Sequence, residues 1–303
     1  MSIAQRSAGA LFREALQKEQ PLQIVGAINA LTAMMAKRAG FQALYLSGSG
    51  VAAASYGLPD LGITTLDNVA EDARRITDAV DLPLLVDIDT GFGGTVFSIG
   101  RTIHTLEKIG VAAVHIEDQV LQKRCGHRPG KQVVDTAEMC DRIRAATNAR
   151  SNADFVIIAR TDAFANEGLE QTLERANSYV EAGADAIFAE ALQTLDQFRT
   201  FTDRLSVPVL ANLTEFGKTP LFTLEEMQQA GVALVLYPLT AFRVMNQVAE
   251  MAFRTLRTHG TQKSLLDAMQ TREALYELLD YYRYEEQVDR LYSHSTNGEN
   301  NHE

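Results

Sequence analysis

A cysteine among positive charges is the residue of this chain best suited to proton transfer. Cys125 lies in residues 123–131 with four cationic side chains and one histidine: Lys123, Arg124, His127, Arg128 and Lys131. Nearby cations stabilise a thiolate, so they lower the pKa of a thiol from its ordinary value of about 8.5 toward neutrality. Cys125 is therefore a candidate general acid or nucleophile. The alternative is an exposed basic loop in which the cysteine has no chemical role.

Carboxylates at two predicted strand ends form a candidate metal site. Asp87 and Asp89 stand two apart in a predicted strand, which would point both side chains the same way, and Glu117 ends the next strand. Oxygen ligands of this kind suit Mg²⁺, with Mn²⁺ as a substitute. No histidine or cysteine accompanies them at ligand spacing, which argues against zinc. The alternative is that the two aspartates only cap the turn at residues 91–94.

Other polar residues, several of them at strand ends, are suited to binding a substrate with several carboxylates. Arginine donates paired hydrogen bonds to carboxylates, and Arg160, Arg243 and Arg272 are the candidates. Ser47 and Gly48 offer a hydroxyl group and a backbone donor to another anionic group. The remaining polar strand ends include Tyr45, Ser49, Glu190, Asn212 and Thr214.

Eight short apolar runs predict the framework that brings these residues together. The runs are residues 23–29, 43–47, 84–89, 113–117, 155–161, 186–190, 207–212 and 233–237. Amphipathic helical segments lie between them, including 66–80, 96–109, 169–182 and 224–230. Strict alternation predicts parallel strands, and eight units close an α/β barrel of the (β/α)8 TIM type, with its chemistry at the carboxyl ends of the strands. A doubly wound open sheet is the alternative, although no glycine-rich dinucleotide fingerprint follows the first strand.

Composition narrows the class of partner. The chain has 303 residues, 46% of them hydrophobic, and a formal net charge of −11, which disfavours nucleic acid and anionic membranes as partners. We see no secretory signal or membrane-spanning run and expect a cytoplasmic protein. Two cysteines do not suggest a disulfide framework, and Cys140 is predicted to lie in the core. We expect a single barrel domain with C-terminal helices over residues 1–292, followed by a polar tail at 293–303.

Four segments resemble the isocitrate lyase and phosphoenolpyruvate mutase superfamily in their order and spacing. They are residues 47–50 (SGSG), 87–93 (DIDTGFG), 115–119 (HIEDQ) and 123–127 (KRCGH), and the resemblance covers residues 8–291. The last of them is similar to the lyase branch, and residues 212–222 and 236–243 resemble the members that act on 2-methylisocitrate. Ser49 departs from the glycine that is common at its position.

The resemblance implies a retro-Claisen cleavage of 2-methylisocitrate to pyruvate and succinate in propionate breakdown. It implies Mg²⁺ carried by Asp87 and Asp89, a homotetramer that exchanges a late helix between subunits, and Cys125 as the acid that protonates the succinate carbanion. The base stays open between Tyr45, Glu117 and a metal-bound water. The implied substrate-binding residues are Ser47, Gly48, Ser49, Gly126, Arg160, Glu190, Asn212, Leu213, Thr214, Arg243 and Arg272. An apolar wall for the methyl group is expected from Phe188, Leu236 and Pro238.

Two other classes of function remain open. A Schiff-base aldolase would use a lysine at a strand end, and Lys123 is the candidate. A non-enzymatic binding or scaffolding descendant of the fold is the other class, because a fold alone does not fix an activity.

Overall fold

A closed barrel of eight parallel strands forms the centre of the computed structural model, which describes residues 6–124, 126 and 130–293. Each strand pairs with the next in chain order, and the last pairs with the first. The (β/α)8 barrel is therefore confirmed, and the open-sheet alternative is wrong. The strands are β1 (Leu22–Gly26), β2 (Ala43–Leu46), β3 (Leu84–Asp87), β4 (Ala113–Glu117), β5 (Val156–Thr161), β6 (Ala186–Ala189), β7 (Val209–Asn212) and β8 (Leu234–Tyr237).

Helices follow the strands around the barrel, and polar side chains cap the beginnings of most of them. Thr65, Thr194 and Thr223 each accept a hydrogen bond from the backbone three residues later, in reciprocal capping boxes. The helices of the barrel are α1 (Ala8–Lys18), α2 (Ala30–Arg38), α3 (Gly48–Tyr56), α4 (Leu66–Ala79), α5 (Val96–Lys108), α6 (Thr136–Ala149), α7 (Phe164–Glu181), α8 (Leu195–Arg204) and α9 (Leu224–Gln229).

Gly168 interrupts α7 with a φ of 79°, a left-handed conformation that glycine adopts at low cost. The longer part of the helix therefore starts at Leu169, where the apolar pattern predicts it.

The hydrophobic core has two layers, as expected for a barrel with filled interior. Side chains such as Ile24, Ile158 and Leu210 pack inside the ring, together with Phe12 of α1. Side chains such as Leu46, Val86 and Ile187 point outward and pack against the surrounding helices. Both faces of each strand are buried, which is why the strands read as nearly continuous apolar runs.

Two compact units make up the chain, Met1–Val244 and Met245–Glu303. Helix α10 (Thr240–His259) begins in the first unit and continues into the second, where a 3-10 helix (Lys263–Ala268), α11 (Arg272–Leu278) and α12 (Tyr281–Ser293) follow. None of the α10 side chains is buried. Within the described part of the chain, no helix has the length and apolar character needed to cross a bilayer.

Candidate active site

A cavity of about 300 Å³ opens at the carboxyl ends of the barrel strands. Its volume is in the range of sites for small metabolites. Ten of the sequence-predicted site residues line it: Tyr45, Ser47, Ser49, Asp87, Gly126, Arg160, Glu190, Asn212, Thr214 and Arg243.

The other predicted residues have different positions. Gly48 and Leu213 are buried beside the cavity, and Asp89 lines an adjoining pocket. Arg272 is the first residue of α11, in the second unit. Cys125 lies outside the described residues.

Asp87 and Asp89 come together through a turn rather than through a continuous strand. β3 ends at Asp87, and Asp89 follows with a left-handed φ of 49°, so the prediction that both lie in one strand is wrong. The Asp89 N–H donates to Asp87 Oδ1 over 3.0 Å, and Gly48 N–H donates to Asp87 Oδ2 over 3.1 Å. Asp87 therefore caps the turn as well as facing the cavity.

The point where the two carboxylates converge lies beside Gly48. A Cβ atom on Gly48 would lie 3.1 Å from Asp87 Oδ2 and 3.4 Å from Asp89 Oδ1. Burial by itself raises the pKa of Asp87, but His115, Lys123 and Arg160 outweigh burial and lower that pKa to about 2. Burial and the charge of Asp87 raise the pKa of Asp89 to about 6, against the opposing effect of Lys123. Two ionised carboxylates that converge on one point repel each other, and a nearby cation relieves that repulsion.

Lys123 supplies a cation to these carboxylates. Its buried Nζ is paired with Asp89 and, over 2.9 Å, with Asp60. Burial opposes protonation, but the surrounding carboxylates, Glu117 first among them, raise the pKa of Lys123 well above its ordinary value. The amine therefore keeps its proton and is not a nucleophile, which argues against the Schiff-base aldolase. The sequence did not single out Asp60, which lies in a loop between helices without a recognisable motif.

Arg160, near the end of β5, is surrounded by carboxylates. Its Nε lies 2.9 Å from Asp162 Oδ2 and 3.4 Å from Glu117 Oε2, and its Nη2 lies 3.1 Å from Glu190 Oε2. The guanidinium also lies over the Phe188 ring, 5.0 Å from the ring centroid. Within the described part of the chain, neither oxygen of Glu117 has a hydrogen-bond partner although both are buried. Buried polar atoms of this kind call for a partner from a ligand, a water molecule or a metal ion.

Tyr45 presents its hydroxyl group to the cavity and pairs with a buried histidine. Tyr45 Oη lies 3.0 Å from His115 Nε2. Burial lowers the pKa of His115 to about 4, so the imidazole is neutral at neutral pH. Burial and the neighbouring Asp87 raise the pKa of Tyr45 well above its ordinary value. Tyr45 therefore keeps its proton and is suited to donate a hydrogen bond.

The end of β7, the residues that follow it and the first turn of α10 complete the polar lining. Asn212 Nδ2 lies 3.4 Å from both carboxylate oxygens of Glu190, while its buried Oδ1 has no partner among the described residues. Arg243, in α10, is 3.3 Å from Glu215 and lies 5.6 Å from the centroid of the Phe216 ring. Glu215 and Phe216 also line the cavity, although sequence reasoning gave neither a role.

The expected apolar wall for a methyl group is only partly present. Pro238 lines the cavity, and Leu239 and Phe216 add further apolar surface. Among the described residues that line the cavity, Phe188 and Leu236 do not appear, because both are buried in the barrel interior. Phe188 instead supports Arg160 and packs edge-on against His115, with ring centroids 5.3 Å apart.

Comparison with known proteins agrees with the resemblance in the sequence motifs. A family model described as phosphoenolpyruvate phosphomutase matches residues 12–257. A protein named 2-methylisocitrate lyase from Escherichia coli (strain K12) is 59% identical over 289 residues, which cover 95% of this chain and 98% of that protein.

Solved structures agree with the family match. The crystal structure of 2,3-dimethylmalate lyase, described as a PEP mutase/isocitrate lyase superfamily member, has a TM-score of 0.86 at 35% identity and covers 95% of this chain and 96% of that one. A phosphonopyruvate hydrolase in complex with oxalate and Mg²⁺ has a TM-score of 0.82 at 30% identity, with 95% and 99% coverage. The resemblance in the sequence motifs is thus confirmed, and the chain belongs to the phosphoenolpyruvate mutase/isocitrate lyase superfamily.

Proposed function

We propose that this protein is an Mg²⁺-dependent lyase that cleaves 2-methylisocitrate to pyruvate and succinate. The observation that carries the proposal is a cavity in which Asp87, paired with Asp89 of the adjoining pocket, lies beside several cationic and amide donors. A substrate with three carboxylates and a hydroxyl group requires this combination. The 59% identical relative bears the name of this activity and matches over nearly its whole length.

Asp87 and Asp89 are the residues that would hold the metal ion. Their convergence and repulsion suit a divalent cation, and the Glu117 oxygens, which accept no hydrogen bond from the described residues, suit the water molecules around one. The described residues contain no group of three or more histidine, cysteine or acidic side chains arranged for a metal. Two protein ligands fit Mg²⁺, which usually keeps several waters and leaves room for substrate oxygens. When bound, the ion would polarise the hydroxyl group and carboxylate that become pyruvate.

The protein side chains around this point would hold the pyruvate-forming end of the substrate. Arg160 is the guanidinium donor, and Phe188 and three carboxylates fix its orientation. Ser47 and Ser49 contribute hydroxyl groups at the start of α3. The Gly48 N–H is already used by Asp87, so Gly48 contributes by leaving space rather than by donating to substrate.

The succinate-forming end would be held at the other strand ends. Asn212, Thr214 and Arg243 line the cavity and offer amide, hydroxyl and guanidinium donors. The resemblance adds Arg272 to this set, and Leu213 and Glu190 support it from the ends of their strands.

Cleavage breaks the bond between the carbon that bears the hydroxyl group and its neighbour beside a carboxylate. The hydroxyl proton leaves, the hydroxyl carbon becomes the ketone of pyruvate, and the bonding electron pair remains on the succinate carbon. Cys125 Sγ would give its proton to that carbon. Tyr45 would donate a hydrogen bond to the developing ketone oxygen, because its raised pKa makes it a poor base at rest. That leaves Glu117 as the protein group that would accept the hydroxyl proton, and it would do so through a water molecule because it is not among the described residues that line the cavity.

The proposal also includes the oligomer and the setting of the reaction. Helix α10 has no buried side chain and carries exposed apolar side chains at the spacing of one helix face, among them Val244, Val248 and Met251. Such a face supports the homotetramer with an exchanged late helix that the resemblance implies. The cleavage would serve propionate breakdown in the cytoplasm. Light scattering on the purified chain measures the oligomer directly.

Pyruvate release tests the activity. The purified protein is assayed with 2-methylisocitrate and with isocitrate, each with Mg²⁺ and with an excess of chelator. We expect Mg²⁺-dependent release of pyruvate from 2-methylisocitrate in equal amount with succinate. Cleavage of neither substrate, or full activity in the chelator, would contradict the proposal.

A further inference from the structure

Gln119 holds the chain at the residue that precedes Cys125. Its Nε2 donates to the Arg124 carbonyl, and its Oε1 accepts from the Arg124 N–H, each over 2.9 Å. The Gln119 side chain is buried, with 1% of its surface exposed. One side chain thus satisfies both backbone groups of residue 124, as a neighbouring strand would.

The backbone of Gln119 is itself fixed. Its carbonyl accepts from the buried Arg142 Nη1 over 2.8 Å, and the same Nη1 donates to the Glu117 carbonyl over 3.1 Å. Gln119 also pairs with Val133 in an antiparallel bridge. The basic segment comprises residues 123–131. The side chain of Gln119 therefore holds Arg124, at the entry to this segment, while its backbone helps to hold Val133, just beyond the exit.

The exit has further anchors that do not depend on the Gln119 side chain. Lys131 Nζ lies 2.7 Å from Asp162 Oδ1, and both side chains are buried. Two backbone hydrogen bonds flank the bridge, from Val120 N–H to the Gln132 carbonyl over 3.0 Å and from Val134 N–H to the Asp118 carbonyl over 2.8 Å. Loss of the Gln119 amide should therefore loosen the entry alone.

Two residues after Arg124, Gly126 packs tightly against the wall of the cavity. Gly126 is buried and lines the cavity, close to Arg160 and Glu190. One residue, Cys125, separates Gly126 from the clamped Arg124 in the sequence. A shift of residue 124 would therefore be passed directly to the residue that we propose as proton donor.

We propose that Gln119 is a positioning residue, which fixes the backbone of Arg124 and so sets the approach of the Cys125 thiol to the substrate. This inference rests on the proposed function for the role of the thiol. Gln119 is not among the described residues that line the cavity, so it acts through residue 124 rather than on the substrate.

Gln119→Met tests the inference, because methionine keeps the length of the side chain and removes both hydrogen bonds. Gln132→Met is the matched control, since Gln132 is exposed and pairs through its backbone carbonyl. Amide hydrogen exchange is measured without ligand, and kcat and KM are measured with 2-methylisocitrate and Mg²⁺. We expect faster exchange at Arg124, unchanged exchange at Val120 and Val134, and a fall in kcat of about tenfold to a hundredfold with little change in KM.

The exchange and kinetic readouts separate the inference from the proposed function. Wild-type exchange at Arg124 in a folded Gln119→Met protein would overturn the clamp, and faster exchange with wild-type kcat would overturn its role in positioning. If Gln119→Met does not fold, Gln119→Glu replaces it, since glutamate keeps the acceptor for the Arg124 N–H and loses the donor to the Arg124 carbonyl. If the wild type cleaves neither substrate, the proposed function fails, while the exchange measurement still decides whether Gln119 clamps residue 124.

Discussion

Gly126 lies so close to Glu190 that a Cβ atom on residue 126 would be 2.7 Å from Glu190 Oε2. The same atom would also meet the guanidinium of Arg160. Only glycine fits at position 126, because any larger side chain would clash with these two residues of the cavity lining.

Gly126→Ala should lower kcat/KM by about a hundredfold, because the added methyl group displaces either Arg160 and Glu190 or the segment that carries Cys125. Gly100→Ala is the control, since Gly100 lies in α5 and a Cβ atom there would meet only Ala149 at an ordinary 3.6 Å. The control should keep full activity and gain up to about 1 kcal/mol in free energy of unfolding from better helix propensity. Steady-state kinetics and urea unfolding measure both. Near wild-type activity of Gly126→Ala would show that the contact does not matter for turnover.

Cys125→Ser should abolish turnover while the protein still folds and binds Mg²⁺, because a hydroxyl group is a far weaker acid than a thiol. The second cysteine provides the comparison. Cys140 is buried, and burial raises the pKa of its thiol, so Cys140 should react slowly with iodoacetamide at neutral pH while Cys125 reacts quickly. Peptide mass spectrometry assigns the modified residue. A Cys125→Ser protein that keeps more than about a tenth of the activity would contradict the role of proton donor.

Asp87→Ala should remove Mg²⁺-dependent activity and weaken Mg²⁺ binding, since few protein ligands are available to share the loss. Because Asp87 also caps the turn at Asp89, Asp87→Asn separates the two roles: it keeps an acceptor for the Asp89 N–H, loses the charge, and leaves the Gly48 N–H without its acceptor. We expect Asp87→Asn to fold with a loss of about 1 to 3 kcal/mol in free energy of unfolding, the cost of one unsatisfied buried donor, and to bind Mg²⁺ poorly. Calorimetric titration with Mg²⁺ provides a readout independent of activity. Wild-type Mg²⁺ affinity in both variants would place the metal site elsewhere.

The barrel could be predicted from sequence because its strands are buried on both faces and its helices have capping residues and apolar stripes. The sequence pattern does not predict helix α3, because it begins with Gly48, Ser49 and Gly50, which have low helix propensity. In the structure Ser47 caps this helix. The turn at Asp89 was missed for a related reason. Ile88 is buried like a strand residue, and nothing in the local pattern signals a left-handed conformation one residue later.

The individual site residues could be predicted where they end strands, but their pairing could not. Lys123 meets Asp60 and Lys131 meets Asp162 across long stretches of chain, and only the closed barrel brings them together. The role of Phe188 was misjudged for the same reason, because a strand pattern shows that a side chain points inward but not how deep it lies.

The depth of Phe188 changes what substitution there should do to substrate preference. We expect the wild type to prefer 2-methylisocitrate over isocitrate by roughly ten- to two-hundred-fold, the value of one methyl group in an apolar pocket. Phe188→Trp should lower kcat/KM for both substrates, because a larger ring beneath Arg160 displaces the guanidinium rather than filling the methyl pocket. Leu239→Ala should instead shrink the preference, since Leu239 lines the cavity, while Leu221→Ala, at an exposed leucine outside the lining, should change neither quantity. Parallel kinetics on both substrates give the ratio for each variant. If Phe188→Trp changes the ratio of kcat/KM between the two substrates and leaves cleavage of isocitrate unchanged, Phe188 forms part of the apolar wall around the methyl group after all.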